Sequence, residues 1–248
     1  MSTKDYFSGH SKVYATFRPT YPPDLYDFIF QFTHQRSRAW DCATGNGQVA
    51  SHLANSFKEV YATDISQKQL ENAVQASNIF YSVSSAEQTS FEDNFFDLIT
   101  VGQALHWFQL DLFYNEVKRI AKPDALIAAW GYALLSVSPS IDSLFLKFYN
   151  EKVGPYWDDA RKLVEEEYNN IPFPFTPIVT PNFQIKVQWT KQQFGGYLVS
   201  WSATQKFIKT NGFNPVNDFL LSLADVWNDN EIKTVTFPVF LKLGRVIK

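Results

Sequence analysis

The chain has 248 residues, a net charge of -3, 45% hydrophobic residues and a single cysteine, Cys42. That length suits one large α/β domain, or one domain with an inserted cap. One cysteine excludes a disulfide framework and a cysteine-cluster metal site, and the charge balance offers no broad basic footprint for nucleic acid.

A reducing compartment is the simplest reading of the cysteine count. The first residues, MSTKDYFSGHSKVY, lack the apolar core of a signal peptide, and no apolar run approaches a membrane span. The expectation is a cytoplasmic protein, a monomer or weak dimer, that handles a small molecule and has neither a nucleic-acid nor a membrane partner. The aromatic content is high, with 23 Phe, 12 Tyr and 7 Trp. Such a surplus points to an aromatic-lined pocket or to a tightly packed cap.

In chain order, Pro22 and Pro23 open a helix whose period places Leu25, Phe28, Ile29 and Phe32 on one face. Residues 38–42 read as a short strand and 47–56 as a helix. EVYATD is a second strand ending at Asp64, followed by a helix in SQKQLENAVQA with Ser66 as its cap. NIFYSV is a third strand and 96–101 a fourth. LDLFYNEVKRIA is a helix burying Leu112, Val117 and Ile120, and PDALIAAWG is a turn and fifth strand. Five strands alternating with helices predict a largely parallel sheet wrapped on both faces. The rhythm changes after Gly131. Helices are expected at 141–152 and 158–169, and the proline-rich NNIPFPFTPIVTP is excluded from any helix or central strand. FQIKVQWT reads as a strand, GGYLVSWSATQKFI starts a helix, 215–228 is another, and EIKTVTFPVFLKLGRV closes with one or two strands. Pro238 favours an edge or a bulge there. Residues 131–200 are read mostly as a cap inserted before the last strands.

The chemistry-bearing motif is DCATGNGQVA, residues 41–50. It follows a predicted strand and opens a helix, and an acidic residue, Asp64, ends the next strand. This is the general geometry of a cofactor crevice at the carboxyl ends of parallel strands. Gly45 and Gly47 allow close approach or positive φ, and Asp64 can accept hydrogen bonds from two ribose hydroxyls. The bland alternative is a plain turn with Asp64 capping a helix. NAD and S-adenosylmethionine both fit a glycine turn with a ribose carboxylate. Asp41 separates them, because a carboxylate beside the turn repels a pyrophosphate and suits an amino or sulfonium group.

With these segments in view, the sequence resembles the class I S-adenosylmethionine-dependent methyltransferases, and within them the trans-aconitate methyltransferase-like small-molecule group. The segments are YATFRPTYPPDLYDFI, WDCATGNGQVA, VYATDIS, SSAEQTSFEDNFFDLI and VGQALHWF. The resemblance implies a Rossmann-like α/β fold with a mostly parallel seven-stranded sheet, helices on both faces and an inserted helical cap. The whole chain would form one domain, with residues 1–35 lying over the cofactor. Asp41, Ala43, Gly45 and Gly47 would form the turn around the methionine part of S-adenosylmethionine. Asp64 would hold the ribose, Ile65 would pack on the adenine, and Ala86 and Glu87 would lie beside it. Gln103 and Ala104 would sit near the methionine moiety, with His106 and Trp107 facing the methyl and the acceptor. Ala43 departs from the usual D-x-G-x-G-x-G turn, and alanine tolerates positive φ less well than glycine.

Methyl transfer from a sulfonium is an in-line displacement that mainly requires alignment. A carboxylate acceptor needs no base, only a cationic or hydrogen-bonding clamp. Tyr14, Arg18, Tyr21 and His106 are the candidates, with Arg18 the expected cation. Arg18 can instead anchor its segment through a surface carboxylate, and His106 can serve as a base or as a structural hydrogen-bonding group. Rings at Tyr156, Trp157, Trp189, Phe194, Tyr197 and Trp201 supply either an acceptor pocket or a core. His10, His34 and His52 are too widely spaced for a metal site, and no metal is expected. Three other functions stay open: a cofactor-binding module without turnover, an NAD oxidoreductase, against which the placement of Asp41 argues, and a methyltransferase acting on RNA or protein.

Overall fold

The computed structural model describes residues 18–248. Five parallel strands form most of the sheet: β1 (Arg38–Cys42), β2 (Glu59–Asp64), β3 (Ile79–Val83), β4 (Phe96–Gly102) and β5 (Ala121–Tyr132). Three antiparallel strands complete it: β6 (Thr176–Ile178), β7 (Phe183–Thr190) and the long β8 (Ile232–Arg245). The order is β3-β2-β1-β4-β5-β8-β6, with β7 beside β6 on the same edge of β8. The expected seven-stranded, mostly parallel sheet is thus corrected to a mixed sheet of eight strands. The reason lies in the segment before β7. Its prolines interrupt pairing at 179–182, so β8 is lined by two short strands instead of one long one.

β8 is also no edge strand, although it contains Pro238. Its residues 239–245 pair with β5, while 232–239 pair with β7. Proline is tolerated because its position lies just past the end of β5. The Pro238 carbonyl accepts from the Ala133 N–H, and the missing donor faces that same side, where the β5 ladder has stopped.

The helices are α1 (Pro23–Gln31), α2 (Gln48–Leu53), α3 (Gln67–Glu71), α4 (Leu110–Ile120), α5 (Pro139–Lys147), α6 (Arg161–Glu165), α7 (Lys191–Val199), α8 (Ser202–Asn211) and α9 (Pro215–Ser222). Pro23 occupies the first turn of α1, where a missing N–H costs nothing. A reciprocal Thr190–Gln193 capping box starts α7, and Gly212 at φ 78 ends α8. Several expected helices are shorter. The helix after Asp64 stops at Glu71, the one expected at 158–169 covers only α6, and GGYLVSWSATQKFI divides between α7 and α8. Ser66 sits at the start of α3 but makes no side-chain cap. Residues 131–200 contain the end of β5, α5, α6, β6, β7 and α7, so the span is part helix and part sheet.

Strand alternation sends side chains to two cores. Ala39, Leu98, Leu126, Ala128 and Trp130 join α1, α2, α5, α7 and α9 on one face. Trp40, Ile99, Val101, Ile127 and Ala129 join α4 and the buried residues from Val164 to Phe175 on the other. In α1 the buried residues are Leu25, Tyr26, Ile29 and Phe30, a wider face than the period predicts. Phe28 and Phe32 are half-buried and meet edge to face, and Phe28 also reaches Phe183. In α4 the buried stripe is Phe113, Tyr114, Glu116, Val117 and Ile120, whereas Leu112 is 50% exposed. The expected burial of Leu112 is therefore corrected by one helical position.

That correction has a direct test. Phe113→Ala should cost about 3–5 kcal/mol of unfolding free energy, whereas Leu112→Gln should change it by less than about 0.5 kcal/mol. Equal losses in chemical denaturation would contradict the observed face.

Candidate functional site

The strand order runs outward from β1 to β2 and β3, then restarts on the other side with β4 and β5. Ligands in open α/β sheets bind where the order reverses, beyond the carboxyl ends of the strands. Here that crevice lies between the 43–47 turn after β1 and the 102–107 segment after β4.

Three residues of the first turn have positive φ: Ala43 at 55°, Gly45 at 56° and Gly47 at 80°. The left-handed conformation costs alanine about 1–2 kcal/mol, so Ala43 keeps the glycine-like geometry under strain. A Cβ on Gly47 would fall 2.3 Å from the Tyr81 hydroxyl, so a side chain here would have to displace that ring and hold a strained positive φ. A Cβ on Gly45 would meet nothing within 4 Å, which places open space against the turn.

Two carboxylates hold this turn. Asp41 is buried, and its oxygens accept from the Thr44 hydroxyl (2.5 Å), the Ala50 N–H (3.1 Å) and the Thr100 hydroxyl (2.9 Å). Burial pushes its carboxyl up to about 7, against those three hydrogen bonds, with the Asp64 charge adding to the rise. Asp41 therefore acts on the turn from behind. Asp64 accepts from the Gly45 N–H (2.9 Å) through one oxygen and from the Ser66 N–H (2.9 Å) through the other. Each carboxylate oxygen has capacity for a further donor, which suits a ribose diol. Ile65 beside it is 41% exposed, an apolar face left open next to that carboxylate. Ala86 is buried, and the Glu87 carboxylate accepts from the Gln109 N–H (3.1 Å), tying the 86–87 loop to the start of α4. The turn, the carboxylate and the open apolar wall fit an adenosine whose other end carries positive charge rather than phosphate.

Beyond β4, Gln103 also has positive φ, 56°. Its amide oxygen accepts from the Tyr132 N–H (2.8 Å), which turns the amide nitrogen the other way. Gly131 permits this approach, since a Cβ there would lie 2.8 Å from that oxygen. Ala104 is buried, and a short 3-10 turn from Leu105 to Trp107 follows. His106 Nδ1 lies 2.9 Å from the Tyr168 hydroxyl. We assign the hydroxyl as the donor to Nδ1, which puts the proton of the neutral ring on Nε2. Burial, with the nearby Arg161 charge, pulls the His106 pKa down to about 3, so the ring is neutral at physiological pH.

Arg18, Gln103, His106 and Trp107 line one cavity with Trp157, Asp158, Arg161, Tyr197, Trp201 and Ser202. Arg18 Nη1 donates to the Tyr132 hydroxyl (2.5 Å), and its guanidinium lies 5.7 Å from the Tyr197 ring. The Tyr21 ring meets Trp130 edge to face at 5.6 Å and comes within 3.6 Å of a Cβ built on Gly102. Tyr14 lies outside the described residues. Of the rings singled out in the sequence, Trp157, Tyr197 and Trp201 line the cavity, Phe194 is core, Trp189 packs on Tyr197 and Phe237, and Tyr156 packs on Phe207. Arg161 and Tyr168 were not singled out. Both sit in a charged stretch that reads as a solvent-facing helix, and no spacing marks them. Among the described residues no cluster of three or more His, Cys, Asp or Glu could hold a metal, and no helix is long and apolar enough to cross a membrane.

Comparison with known proteins agrees with this geometry. A family model described as a methyltransferase domain matches residues 40–129, which span β1 to most of β5. A Dictyostelium discoideum protein described as a methyltransferase is 33% identical over 97% of this chain and 95% of its own length. CRG1 of Saccharomyces cerevisiae, described as an S-adenosylmethionine-dependent methyltransferase, is 23% identical over 94% of this chain and 89% of its own. The solved structure of a type II methyltransferase from Anaeromyxobacter dehalogenans superposes with a TM-score of 0.87 at 33% identity, covering 94% of this chain and 99% of that one. The chain belongs to the class I S-adenosylmethionine-dependent methyltransferases, and its cofactor is S-adenosylmethionine. The matches reach the family as a whole and not the narrower trans-aconitate methyltransferase-like group.

Two measurements test the turn. Asp64→Ala should weaken cofactor binding about 10- to 150-fold, the loss of about 1.5–3 kcal/mol expected for a charge-assisted acceptor; unchanged affinity in calorimetry would remove its ribose role. Asp41 titrates higher folded than its unfolded value of about 4. Its favourable contribution to folding is therefore complete below about pH 4 and is lost as pH rises through about 7. Between about pH 5 and about pH 8 the wild type should lose more stability than Asp41→Asn in urea titrations; parallel losses would contradict the buried acidic group.

Proposed function

We propose that the protein transfers the methyl group to a small-molecule carboxylate and releases a methyl ester. The observation that carries this reading is the polarity of the cavity after β4. Donors predominate among its polar groups: the Gln103 amide nitrogen, the His106 Nε2–H and the Arg161 guanidinium, beside the Ser202 and Tyr197 hydroxyls, which can also donate. Its one carboxylate, Asp158, is paired with Lys206 at 2.7 Å. A lining of N–H groups favours a ligand that only accepts, and an ionised carboxylate is the commonest such ligand.

Bound S-adenosylmethionine supplies an electrophilic methyl on a sulfonium. The protein's contribution is alignment and exclusion of water. Gln103 and Ala104 border the crevice beside the methionine end, while His106 and Trp107 face the acceptor. A carboxylate arrives already ionised, so His106 has no proton to remove. Its lowered pKa suits a neutral hydrogen-bond donor better than a general base. Arg18 adds positive charge and holds the N-terminal segment against β5 through Tyr132. That segment, with Tyr21 over Gly102, serves as a cover on the cofactor side. The helices from α5 to α8, together with Trp157, Tyr197 and Trp201, serve as the cap on the acceptor side. The narrower likeness to trans-aconitate methyltransferase-like enzymes accords with an organic-acid acceptor.

The test supplies methyl-labelled S-adenosylmethionine to a size-fractionated cell extract with the enzyme. Label should appear in the small-molecule fraction and leave as methanol in mild base. Label in RNA or protein would replace this acceptor class, and no label in any fraction would favour a cofactor-binding module without turnover. Arg18→Ala should raise the KM of acidic acceptors more than that of neutral ones; equal effects would confine Arg18 to anchoring its segment.

A further inference from the structure

We infer that Arg161, on the short helix α6, is the residue that binds the acceptor's carboxylate and so sets specificity for acids; this rests on the carboxylate reading above. Two guanidinium groups border the cavity, and they are differently placed. Arg18 donates to the Tyr132 hydroxyl and lies over Tyr197, which ties it to the cover and to β5. Arg161 is held by its inner edge alone. Its Nε donates to the Tyr149 hydroxyl at 3.0 Å, with the Glu165 carboxylate 3.9 Å from the same nitrogen. Tyr149 and Glu165 hydrogen bond to each other, so the Nε side of the guanidinium faces a closed protein network. The plane of the group lies by Trp157, 5.1 Å from the ring centroid.

What this leaves is the outer edge. Among the described residues neither terminal nitrogen of Arg161 makes a hydrogen bond, although the side chain is only 18% exposed. A charged group buried to that extent is costly unless its N–H groups find acceptors. Among the described residues no lining group accepts from its terminal nitrogens. Asp158 accepts from Lys206, Gln103 has its oxygen on the Tyr132 N–H, and His106 has its acceptor nitrogen on Tyr168. The guanidinium fork matches a carboxylate in a bidentate pair, with its orientation already set by Tyr149 and Trp157. The Gln103 amide and His106 Nε2–H border the same space, and one of them can take a third oxygen lone pair, which leaves the fourth to attack the methyl. Tyr168 then has a positioning role, because its hydroxyl determines which nitrogen of His106 carries the proton.

The experiment compares wild type, Arg161→Gln and Arg161→Lys, each saturated with S-adenosylmethionine. The acceptor probes are short aliphatic carboxylates, and the neutral methyl ester of each, which cannot be methylated again, is tested alongside as an inhibitor. Calorimetry of S-adenosylhomocysteine binding accompanies each variant as a check on the cofactor crevice. Arg161→Gln should raise the KM for acids about 10- to 150-fold, the range for losing a charged hydrogen-bonding partner, with a smaller change in kcat and unchanged S-adenosylhomocysteine affinity. Arg161→Lys should recover only part of that loss, since a lysine cannot form the two-point contact. Acids methylated equally well by all three proteins would overturn the role of Arg161 while leaving the carboxylate reading in place. Loss of S-adenosylhomocysteine binding in both variants would make Arg161 part of the scaffold and overturn it as well. A wild type that methylates none of the acids but does methylate a neutral or macromolecular acceptor would remove the carboxylate reading, and this assignment with it.

Discussion

The geometry of the cofactor crevice depends on two carboxylates at the ends of adjacent parallel strands. Asp41 ends its run of hydrogen bonds inside the protein, joining the 43–47 turn to the start of α2 and to β4. Asp64 grips the same turn from β2 through the Gly45 N–H and keeps capacity for a ligand. The turn itself is strained, with Ala43 in a conformation that alanine does not favour. Three hydrogen bonds to one buried carboxylate are the compensation. Burial keeps Asp41 titrating near neutrality, so its ionised form is favoured further when a cation occupies the crevice.

On the acceptor side the same economy of acceptors has the opposite outcome. The Gln103 oxygen, His106 Nδ1 and one Asp158 oxygen are engaged by Tyr132, Tyr168 and Lys206, and N–H groups of Gln103, His106 and Arg161 border the space. This arrangement requires parts from distant regions: Gln103 and His106 after β4, Arg161 on α6, Arg18 ahead of α1. The cofactor crevice is local to the first half of the sheet, whereas the acceptor cavity is assembled across it. The family match at residues 40–129 spans the strands that carry the cofactor crevice.

Much of the first half was legible from local chemistry. The strands at 38–42, 59–64 and 79–83, the glycine turn, and the carboxylate closing the second strand all follow from period, turn residues and spacing. Helix lengths, helix faces and the last strand were less so. The helix expected after Asp64 is short, Leu112 faces out while Phe113 faces in, and Pro238 sits inside a strand paired on both sides. Each of these was decided by neighbours. A stripe of apolar residues tells that a helix is amphipathic, but the sheet it meets selects which neighbouring positions are covered. A proline is excluded from a ladder only where the partner strand is present to receive its N–H.

The sequence by itself determined the cofactor class, because a glycine turn between two strand-end carboxylates is a local constellation that a short stretch can specify. Tertiary structure alone decided the cavity proposed here for the acceptor. Arg161 lies in a charged stretch indistinguishable from a solvated helix face until Tyr149, Trp157 and the closed side of α6 turn its outer edge inward. His106 is an ordinary histidine until Tyr168, 62 residues away, fixes its proton. The physical reason is range: backbone turns and strand-end charges act over a few residues, whereas the orientation of a side chain in a cavity depends on which distant groups have already taken its hydrogen bonds.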